Sequence, residues 1–190
     1  MGDFARARVN MVSGQIFSDA VHSARVLDAM RNVMREQFVP AALAATAYAD
    51  VEVPLDGGRA LLMPVTLAKL LQMAEIGPND LVLDVGCATG YSTAVLARLA
   101  GSVVAVESDP GLAAQASETL LALDVDNAAV VQGPLGAGYD AEAPYDVIFL
   151  NGSVECVPET LLAQLAPGGR LVAIIGTGRM GRATVITREG

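Results

Sequence analysis

The sequence predicts an α/β fold: a doubly wound, mostly parallel sheet with a helical extension at its N-terminus. Short apolar runs at Leu81–Leu83, Val103–Glu107 and Tyr145–Leu150 have the length of buried strands. Segments with helix-like apolar spacing separate them, and proline and glycine clusters mark the turns. Strands that alternate with helices form parallel sheets, and right-handed crossovers then place a ligand at the carboxyl ends of the first strands.

The N-terminal third is predicted to be helical and to end in an irregular segment. One amphipathic helix is expected over Asp3–Ile16, and a second over Ser23–Val33 with its first residue as the N-cap. An alanine-rich stretch predicts a short helix over Ala41–Ala49. Residues 50–63 contain proline and glycine breakers, so no regular element is expected there.

The remaining elements are predicted in the order of the chain. Pro64 suits the first turn of a helix that ends at Ala74, just before the strand at Leu81. The further helices are predicted over Tyr91–Ala100, Pro110–Ala122 and Pro158–Leu165, the further strands over Asn127–Gln132, Arg170–Gly176 and Ala183–Arg188, and a loop over Gly133–Pro144.

The stretch Leu81–Tyr91 predicts a strand, a tight glycine loop and the start of a helix. A dinucleotide site of the type Gly-x-Gly-x-x-Gly, placed from Gly86, requires glycine where the chain has Ala88 and Tyr91. The pattern present is Asp-x-Gly-x-x-x-Gly, which resembles the first motif of S-adenosylmethionine-dependent methyltransferases. The fold is therefore predicted to be Rossmann-like, of the class I methyltransferase type, and a nicotinamide oxidoreductase is disfavoured.

A second strand that ends in a carboxylate completes this signature, because Glu107 can accept hydrogen bonds from both ribose hydroxyls. An ordinary βαβ unit with a glycine turn and a solvated glutamate is the alternative, which the coincidence of both features disfavours. The expected cofactor is S-adenosyl-L-methionine, with S-adenosyl-L-homocysteine as product. The predicted cofactor residues are Asp84, Gly86, Cys87, Ala88, Gly90, Tyr91, Glu107, Ser108, Gly133, Pro134 and Asn151. Cys87 is expected to fill space there, although a helix N-terminus could lower the pKa of its thiol.

Composition argues against several other functions. A formal net charge of −9 disfavours a nucleic-acid surface. The sequence shows neither a long uncharged apolar run that would predict a membrane span nor the apolar segment of a secretory signal. Cys87 and Cys156 do not make a disulfide framework, so a cytoplasmic location is expected. With His22 as the one histidine, no metal site is expected.

Segments along nearly the whole chain resemble protein-L-isoaspartate O-methyltransferases, the repair enzymes that methylate isoaspartyl carboxyls. The N-terminal segments are more specific than the methyltransferase motif, which many families share. The matching segments are Met11-Val12, Val26–Met30, Arg35–Pro40, Ala47–Asp50, Asp84–Tyr91, Ala143–Asp146 and Leu165–Val172.

This resemblance implies a carboxyl O-methyltransferase for protein repair. Its expected partner is a protein or peptide carboxylate of the isoaspartyl kind, with neither nucleic acid nor membrane as partner. It also implies that residues 1–63 form N-terminal helices and a substrate-side loop, packed on the same domain as a methyltransferase core over residues 64–190.

The sequence departs from this family around the acceptor. The family has Gly-Gln-Thr-Ile-Ser-Gln-Pro, which helps form the substrate pocket and supplies a catalytic serine. Here Gly58–Pro64 is Gly-Arg-Ala-Leu-Leu-Met-Pro, so Leu62 replaces the serine. The family's Gly-Asp-Gly after the third strand is Gly-Pro-Leu at 133–135, and its Thr-Ala-Ala-Ala-Pro after the fourth strand is Asn-Gly-Ser-Val-Glu at 151–155. The family's last strand also lies beyond Gly190, so the core is expected to lack it.

Three residues are the acceptor-side candidates: Arg59, Leu62 and Ser153. A guanidinium is a forked binder of carboxylates, so Arg59 could compensate for the lost serine, and a solvated loop arginine is the competing interpretation. Ser153 could touch substrate or cap the next helix. Two other functions stay open: a methyltransferase of the same ancestry with a different acceptor, and a cofactor-binding protein without transferase activity.

Overall fold

A six-stranded sheet forms the centre of the computed structural model, which describes residues 3–177 and 180–190. A short hairpin of β1 (Val53–Pro54) and β2 (Ala60–Leu61) precedes it. The strands of the sheet are β3 (Leu81–Val85), β4 (Ser102–Glu107), β5 (Ala128–Gln132), β6 (Tyr145–Val154), β7 (Leu165–Thr177) and β8 (Met180–Thr187). Their order is β5-β4-β3-β6-β7-β8, and neighbours are parallel except for β7 and β8. The predicted mostly parallel, doubly wound sheet is confirmed.

The helices follow the predicted pattern closely. The first, α1 (Phe4–Asn10), continues as a wider π-helical segment through Ile16. Ser23 caps the second, since its side chain accepts the N–H of Val26 at 3.5 Å. The other helices are α2 (Ala24–Asn32), α3 (Pro64–Ala74), α4 (Tyr91–Ala97), α5 (Pro110–Ala122) and α6 (Glu159–Ala163). Within the described part of the chain, no helix has the length and apolar character needed to span a membrane.

Several elements differ from their prediction, among them β7, which begins at Leu165 and not at Arg170. The helix expected over Ala41–Ala49 is a 3-10 turn over Ala41–Thr46; none of these residues is buried, so the turn lacks the tertiary packing that stabilises short helices. The segment expected to be irregular contains the β1–β2 hairpin. Strand β6 runs past its expected end to Val154, with a register shift between Phe149 and Ser153.

The sheet buries both of its faces, as the alternation of its side chains requires. Val82 and Val147 lie on one face, in a core cluster that also contains Met30 of α2 and Leu70 of α3. Leu83 and its neighbours lie on the other face, in a second cluster with Leu161 of α6. The N-terminal helices and the sheet therefore share one core, on one face of the sheet.

The shared core gives a stability prediction. Leu70→Ala removes a side chain that is 1% exposed, and we expect a loss of about 2–5 kcal/mol in the free energy of unfolding, measured by urea denaturation. Leu121→Ala on α5 is the matched control, because Leu121 is 79% exposed and should cost less than about 0.5 kcal/mol. Equal losses in the two variants would contradict this description of the core.

Candidate active site

The glycine loop after β3 has the backbone conformation that its sequence predicts. Gly86 and Gly90 have φ angles of 82° and 92°, where an L side chain is strained. A Cβ at Gly90 would lie 3.2 Å from the Cβ of Ala116, so the glycine also lets α5 approach the loop. Gly86 donates its N–H to the Val106 carbonyl at 2.8 Å, which ties the loop to the end of β4.

Asp84 is the buried carboxylate at the start of this loop. Its Oδ2 accepts hydrogen bonds from Ser92 Oγ at 2.7 Å and Thr93 Oγ1 at 2.8 Å, while its Oδ1 is buried and has no partner. Burial raises the pKa of Asp84 to about 6. The hydrogen bonds from the two hydroxyls lower this pKa, and the nearby charge of Glu107 raises it by a smaller amount. The unpaired oxygen is therefore a ready acceptor for a cationic or hydrogen-bonding group of a ligand.

Glu107 is a second fully buried carboxylate, at the carboxyl end of β4. Its Oε2 accepts the N–H of Ala88 in the glycine loop at 2.8 Å. Its Oε1 accepts the N–H groups of Ser108 at 2.8 Å and of Asp109 at 3.1 Å, and the Nη1 of Arg59 at 2.8 Å. The glycine loop, the strand end and the β1–β2 hairpin thus converge on one carboxylate.

A cavity of about 350 Å³ opens beside Arg59, the ion-pair partner of this carboxylate. It lies at the carboxyl ends of β3 and β6, where an open α/β sheet binds its ligands. Most of its wall is apolar, and the polar lining comes from Arg59, Asn151 and Ser153. The full lining is Arg59, Val85, Leu135, Gly136, Leu150, Asn151, Gly152, Ser153, Val154, Pro158 and Leu161.

Two of the predicted cofactor residues have their side chains in the core. Cys87 is fully buried against Ala105 and Ala116, and burial raises the pKa of its thiol. The idea that a helix N-terminus lowers this pKa is therefore wrong, because desolvation dominates. Tyr91 is also buried, with Phe38 edge-on at 5.6 Å and the Arg35 guanidinium 4.6 Å from its ring centre.

The other predicted residues lie around the strand ends. Ser108 donates its Oγ to Glu107 Oε1 at 3.2 Å, and Gly133 donates its N–H to the Glu107 carbonyl at 3.0 Å. Pro134 is exposed next to it. Asn151 donates its Nδ2 to Ser92 Oγ, which links the cavity to the Asp84 network.

The structure brings only two of the three acceptor-side candidates to the cavity. Arg59 and Ser153 line the cavity, whereas Leu62 is partly buried and packs against the core cluster that holds the N-terminal helices. The Leu62 carbonyl accepts Arg35 Nη2 at 2.8 Å, and Arg35 Nε donates to the Ala47 carbonyl at 2.8 Å. Arg35 thus fixes the backbone at position 62.

Several residues of the site carry no clear signal in the sequence. The Arg59–Glu107 ion pair joins residues 48 apart, and neither residue type predicts the other. Thr89 donates its Oγ1 to the Phe38 carbonyl at 2.6 Å and so ties the glycine loop to the N-terminal segment. A polar residue in a glycine loop was the only available sign of that contact. Among residues 3–177 and 180–190, no three His, Cys, Asp or Glu side chains are grouped so as to hold a metal ion.

The fold and the site define a methyltransferase of the Rossmann-like class I type: a glycine loop after the central strand, a carboxylate at the end of the next strand, and helices above the strand ends. The sequence model of the family described as Protein-L-isoaspartate(D-aspartate) O-methyltransferase (PCMT) matches residues 7–190.

Individual relatives give the same result. A protein-L-isoaspartate O-methyltransferase of Syntrophobacter fumaroxidans is 37% identical over 190 residues, which are all of this chain and 88% of the relative. One of Methylorubrum extorquens is 39% identical over 99% of this chain and 82% of its own length. The chain therefore belongs to the protein-L-isoaspartate O-methyltransferase family, as its sequence resemblance indicates.

Solved structures share the fold. A protein-L-isoaspartate O-methyltransferase superposes with a TM-score of 0.83 at 26% identity, over 96% of this chain and 60% of that protein. A Plasmodium falciparum protein described as a protein-L-isoaspartate O-methyltransferase, solved in complex with S-adenosyl-L-homocysteine, has a TM-score of 0.82 at 20% identity. The superposition covers all of this chain and 92% of that protein.

The buried Asp84 predicts a pH effect on stability. Its folded pKa of about 6 lies above the ordinary value of 3.8, so between these values the folded state holds a proton that the unfolded state has lost. Stability therefore falls as the pH rises through this window. Relative to Asp84→Asn, wild type should lose about 3 kcal/mol of unfolding free energy between pH 4 and pH 7, measured by denaturant titration. Asp126→Asn, at an exposed site, is the control, and a difference that stays constant with pH would refute the assignment.

Proposed function

We propose that this protein is an S-adenosylmethionine-dependent carboxyl methyltransferase that acts on isoaspartyl residues of proteins and so serves protein repair. The observation that supports this most directly is the buried Glu107 carboxylate at the end of β4, which is hydrogen-bonded to the glycine loop and ion-paired with Arg59 at the cavity. Membership in the family, shown over residues 7–190, supports the same reaction and cofactor.

The residues of the site suit the proposed cofactor. Glu107 offers carboxylate oxygens to the two ribose hydroxyls, which are donors. Asp84 has an unpaired buried oxygen that matches the ammonium group of the cofactor. At Gly86 a Cβ would lie 3.0 Å from Arg59 Nη2, so only glycine leaves the loop open on the cavity side. We place Gly133, Pro134 and Ser108 around the adenosine, with Cys87 and Tyr91 as supports of the loop from the core side.

The chemistry demands little acid–base help from the protein. An isoaspartyl carboxyl has an ordinary pKa of roughly 4, so it is ionised at pH 7. When bound, the cofactor supplies a methyl group that is activated by its cationic sulfur. The protein must hold the acceptor oxygen in line with that methyl group and exclude water, and the apolar walls of the cavity, such as Leu135 and Leu150, serve the second purpose.

Acceptor recognition is assigned to the polar lining of the cavity. Arg59 presents a guanidinium there, and Ser153 presents a hydroxyl. Both are donors, as an anionic acceptor requires. Leu62 stands in the segment where the resembled family has its catalytic serine, and a leucine cannot donate a hydrogen bond. A different acceptor is therefore the second candidate function, and Leu62 is the observation that favours it.

A cytoplasmic location is part of this proposal. Cys87 is buried and Cys156 is exposed, and both are free thiols. Free thiols are usual where the surroundings are reducing.

Cofactor binding can be tested without any acceptor. Calorimetry should show that S-adenosyl-L-homocysteine binds and that NAD does not. Glu107→Ala should weaken binding by about 1–3 kcal/mol, because a charge-assisted partner of the ribose is lost. Glu118→Ala, on the exposed side of α5, is the matched control and should leave affinity unchanged. Tight binding of NAD in place of the homocysteine compound would overturn the proposal.

Transfer of labelled methyl to an isoaspartyl peptide, with the matching aspartyl peptide as control, tests the acceptor. We expect slow transfer to the isoaspartyl peptide alone. Leu62 packs against the core cluster and does not line the cavity, so Leu62→Ser should increase turnover by less than the roughly 10²–10³-fold value of one oriented donor. Leu121→Ser serves as the control for an exposed leucine. If wild type is fully active and Leu62→Ser leaves its turnover unchanged, the donor role is assigned to Arg59 or Ser153. If methyl is transferred to neither peptide, a different acceptor is favoured.

A further inference from the structure

The Arg59 guanidinium covers the carboxylate that we assign to the cofactor ribose. Its Nη1 donates to Glu107 Oε1 at 2.8 Å, and its Nη2 donates to the Gly86 carbonyl at 3.2 Å. The Glu107 side chain is fully buried, whereas that of Arg59 is 24% exposed. Arg59 therefore lies between the carboxylate and solvent, and it pins the β1–β2 hairpin to the glycine loop.

Glu107 Oε1 is crowded while Arg59 is bound. Besides the guanidinium it accepts the N–H groups of Ser108 and Asp109 and the Ser108 hydroxyl, at 2.8, 3.1 and 3.2 Å. The whole carboxylate is buried and Arg59 lies between it and solvent, so a ribose hydroxyl can reach it only if a covering donor moves aside. Arg59 is the donor that can leave, because the other three belong to the strand end itself. They also keep the buried charge hydrogen-bonded after Arg59 has gone.

The hairpin that carries Arg59 has a turn whose backbone can rotate. Gly57 and Gly58 are consecutive, exposed and both in the left-handed region, with φ angles of 66° and 73°. A Cβ at Gly58 would meet no atom within 4 Å, so the turn has open space around it. Paired glycines at such a turn absorb backbone rotation at low cost.

The cavity provides the second position for the guanidinium. Arg59 and Ser153 line it, and none of the described residues that line it is acidic. A guanidinium that turns from Glu107 into this cavity meets no protein carboxylate there. A carboxylate that enters with the acceptor is therefore its natural partner, and it can bind both arms of the fork.

We propose that Arg59 exchanges partners during the reaction cycle: it leaves Glu107 when the cofactor ribose binds there, and it then holds the acceptor carboxylate. This inference rests on the proposed function, because it takes the ribose site at Glu107 from it. It makes Arg59 both a barrier to the cofactor and a specificity-determining residue for anionic acceptors. Cofactor and acceptor binding are then positively coupled, and the coupling is reciprocal.

Calorimetry with S-adenosyl-L-homocysteine tests the first half of the exchange. Arg59→Gln, which restores the family residue at this position, removes the ion pair that the cofactor must break. It should tighten binding by about 3- to 10-fold. Arg31→Gln is the matched control, since Arg31 is exposed at the end of α2 and carries the same charge. Matching far-UV circular dichroism spectra of the three proteins verify that the hairpin change leaves the fold intact, because loss of the ion pair by itself lowers thermal stability.

Binding of an isoaspartyl peptide tests the second half. With saturating S-adenosyl-L-homocysteine, wild type should bind the peptide about 5- to 50-fold more tightly than without it. Arg59→Gln should show weak peptide binding and no such increase, and Arg59→Lys should retain part of it. A peptide with the carboxyl replaced by a carboxamide should show no coupling in any variant.

The outcomes separate this inference from the proposed function. If wild type and Arg59→Gln bind S-adenosyl-L-homocysteine equally, or the variant binds it more weakly, the exchange is refuted while the cofactor site stands. If the peptide affinity of wild type is the same with and without the homocysteine compound, the coupling is refuted. If none of the proteins binds that compound, the proposed function fails and the exchange fails with it.

Discussion

The burial of two carboxylates side by side is the constraint on which the site depends. Asp84 and Glu107 are both fully buried at the carboxyl ends of adjacent strands, and each must be supplied with donors. Asp84 takes two hydroxyls from α4, and Glu107 takes backbone N–H groups from the glycine loop and its own strand end, with Arg59 in addition. The fold around the site can be understood as the scaffold that brings these donors together. The close turn of the glycine loop serves the same need, because its backbone must reach the Glu107 carboxylate.

The N-terminal segment holds the glycine loop and the start of α4 in place through direct contacts. Phe38 and Arg35 both contact the ring of Tyr91, and Thr89 is hydrogen-bonded to the Phe38 carbonyl. Arg35 also holds the backbone of Leu62. The glycine loop and the segment that contains Arg59 and Leu62 are therefore positioned by the same few buried side chains. Such a buried cation with a cation–π contact and two carbonyl acceptors favours one fixed geometry over several loose ones.

The sequence predicts the parts of this protein that depend on local pattern. The glycine spacing, the strand-end glutamate, the capped helix α2 and the helix α3 that begins at Pro64 follow from periodicity, turn chemistry and helix-start signals. The structure has them at or within a few residues of the predicted bounds. The features that the sequence does not predict depend on contacts between residues that are far apart in the chain. The Arg59–Glu107 pair and the burial of Cys87 against Ala105 and Ala116 require the packed sheet and helix, because no local pattern contains them. The 3-10 turn at Ala41–Thr46 shows the same limit, since alanine favours a helix but none of these residues is buried in the packing that stabilises a short one.

The two departures in the segment Gly58–Pro64 belong together in physical terms. Leu62 removes a hydroxyl donor from the region where an anionic acceptor would be oriented, and Arg59, three residues earlier, adds a charged donor that lines the cavity. A neutral hydroxyl and a guanidinium both orient a carboxylate, but only the guanidinium also competes for the buried Glu107. Under the partner exchange proposed above, replacing one by the other would turn an independent acceptor contact into one that depends on the cofactor. The chain retains the glycine loop and the strand-end carboxylate of its family, so this exchange would change the acceptor side of the site and couple it to the cofactor side.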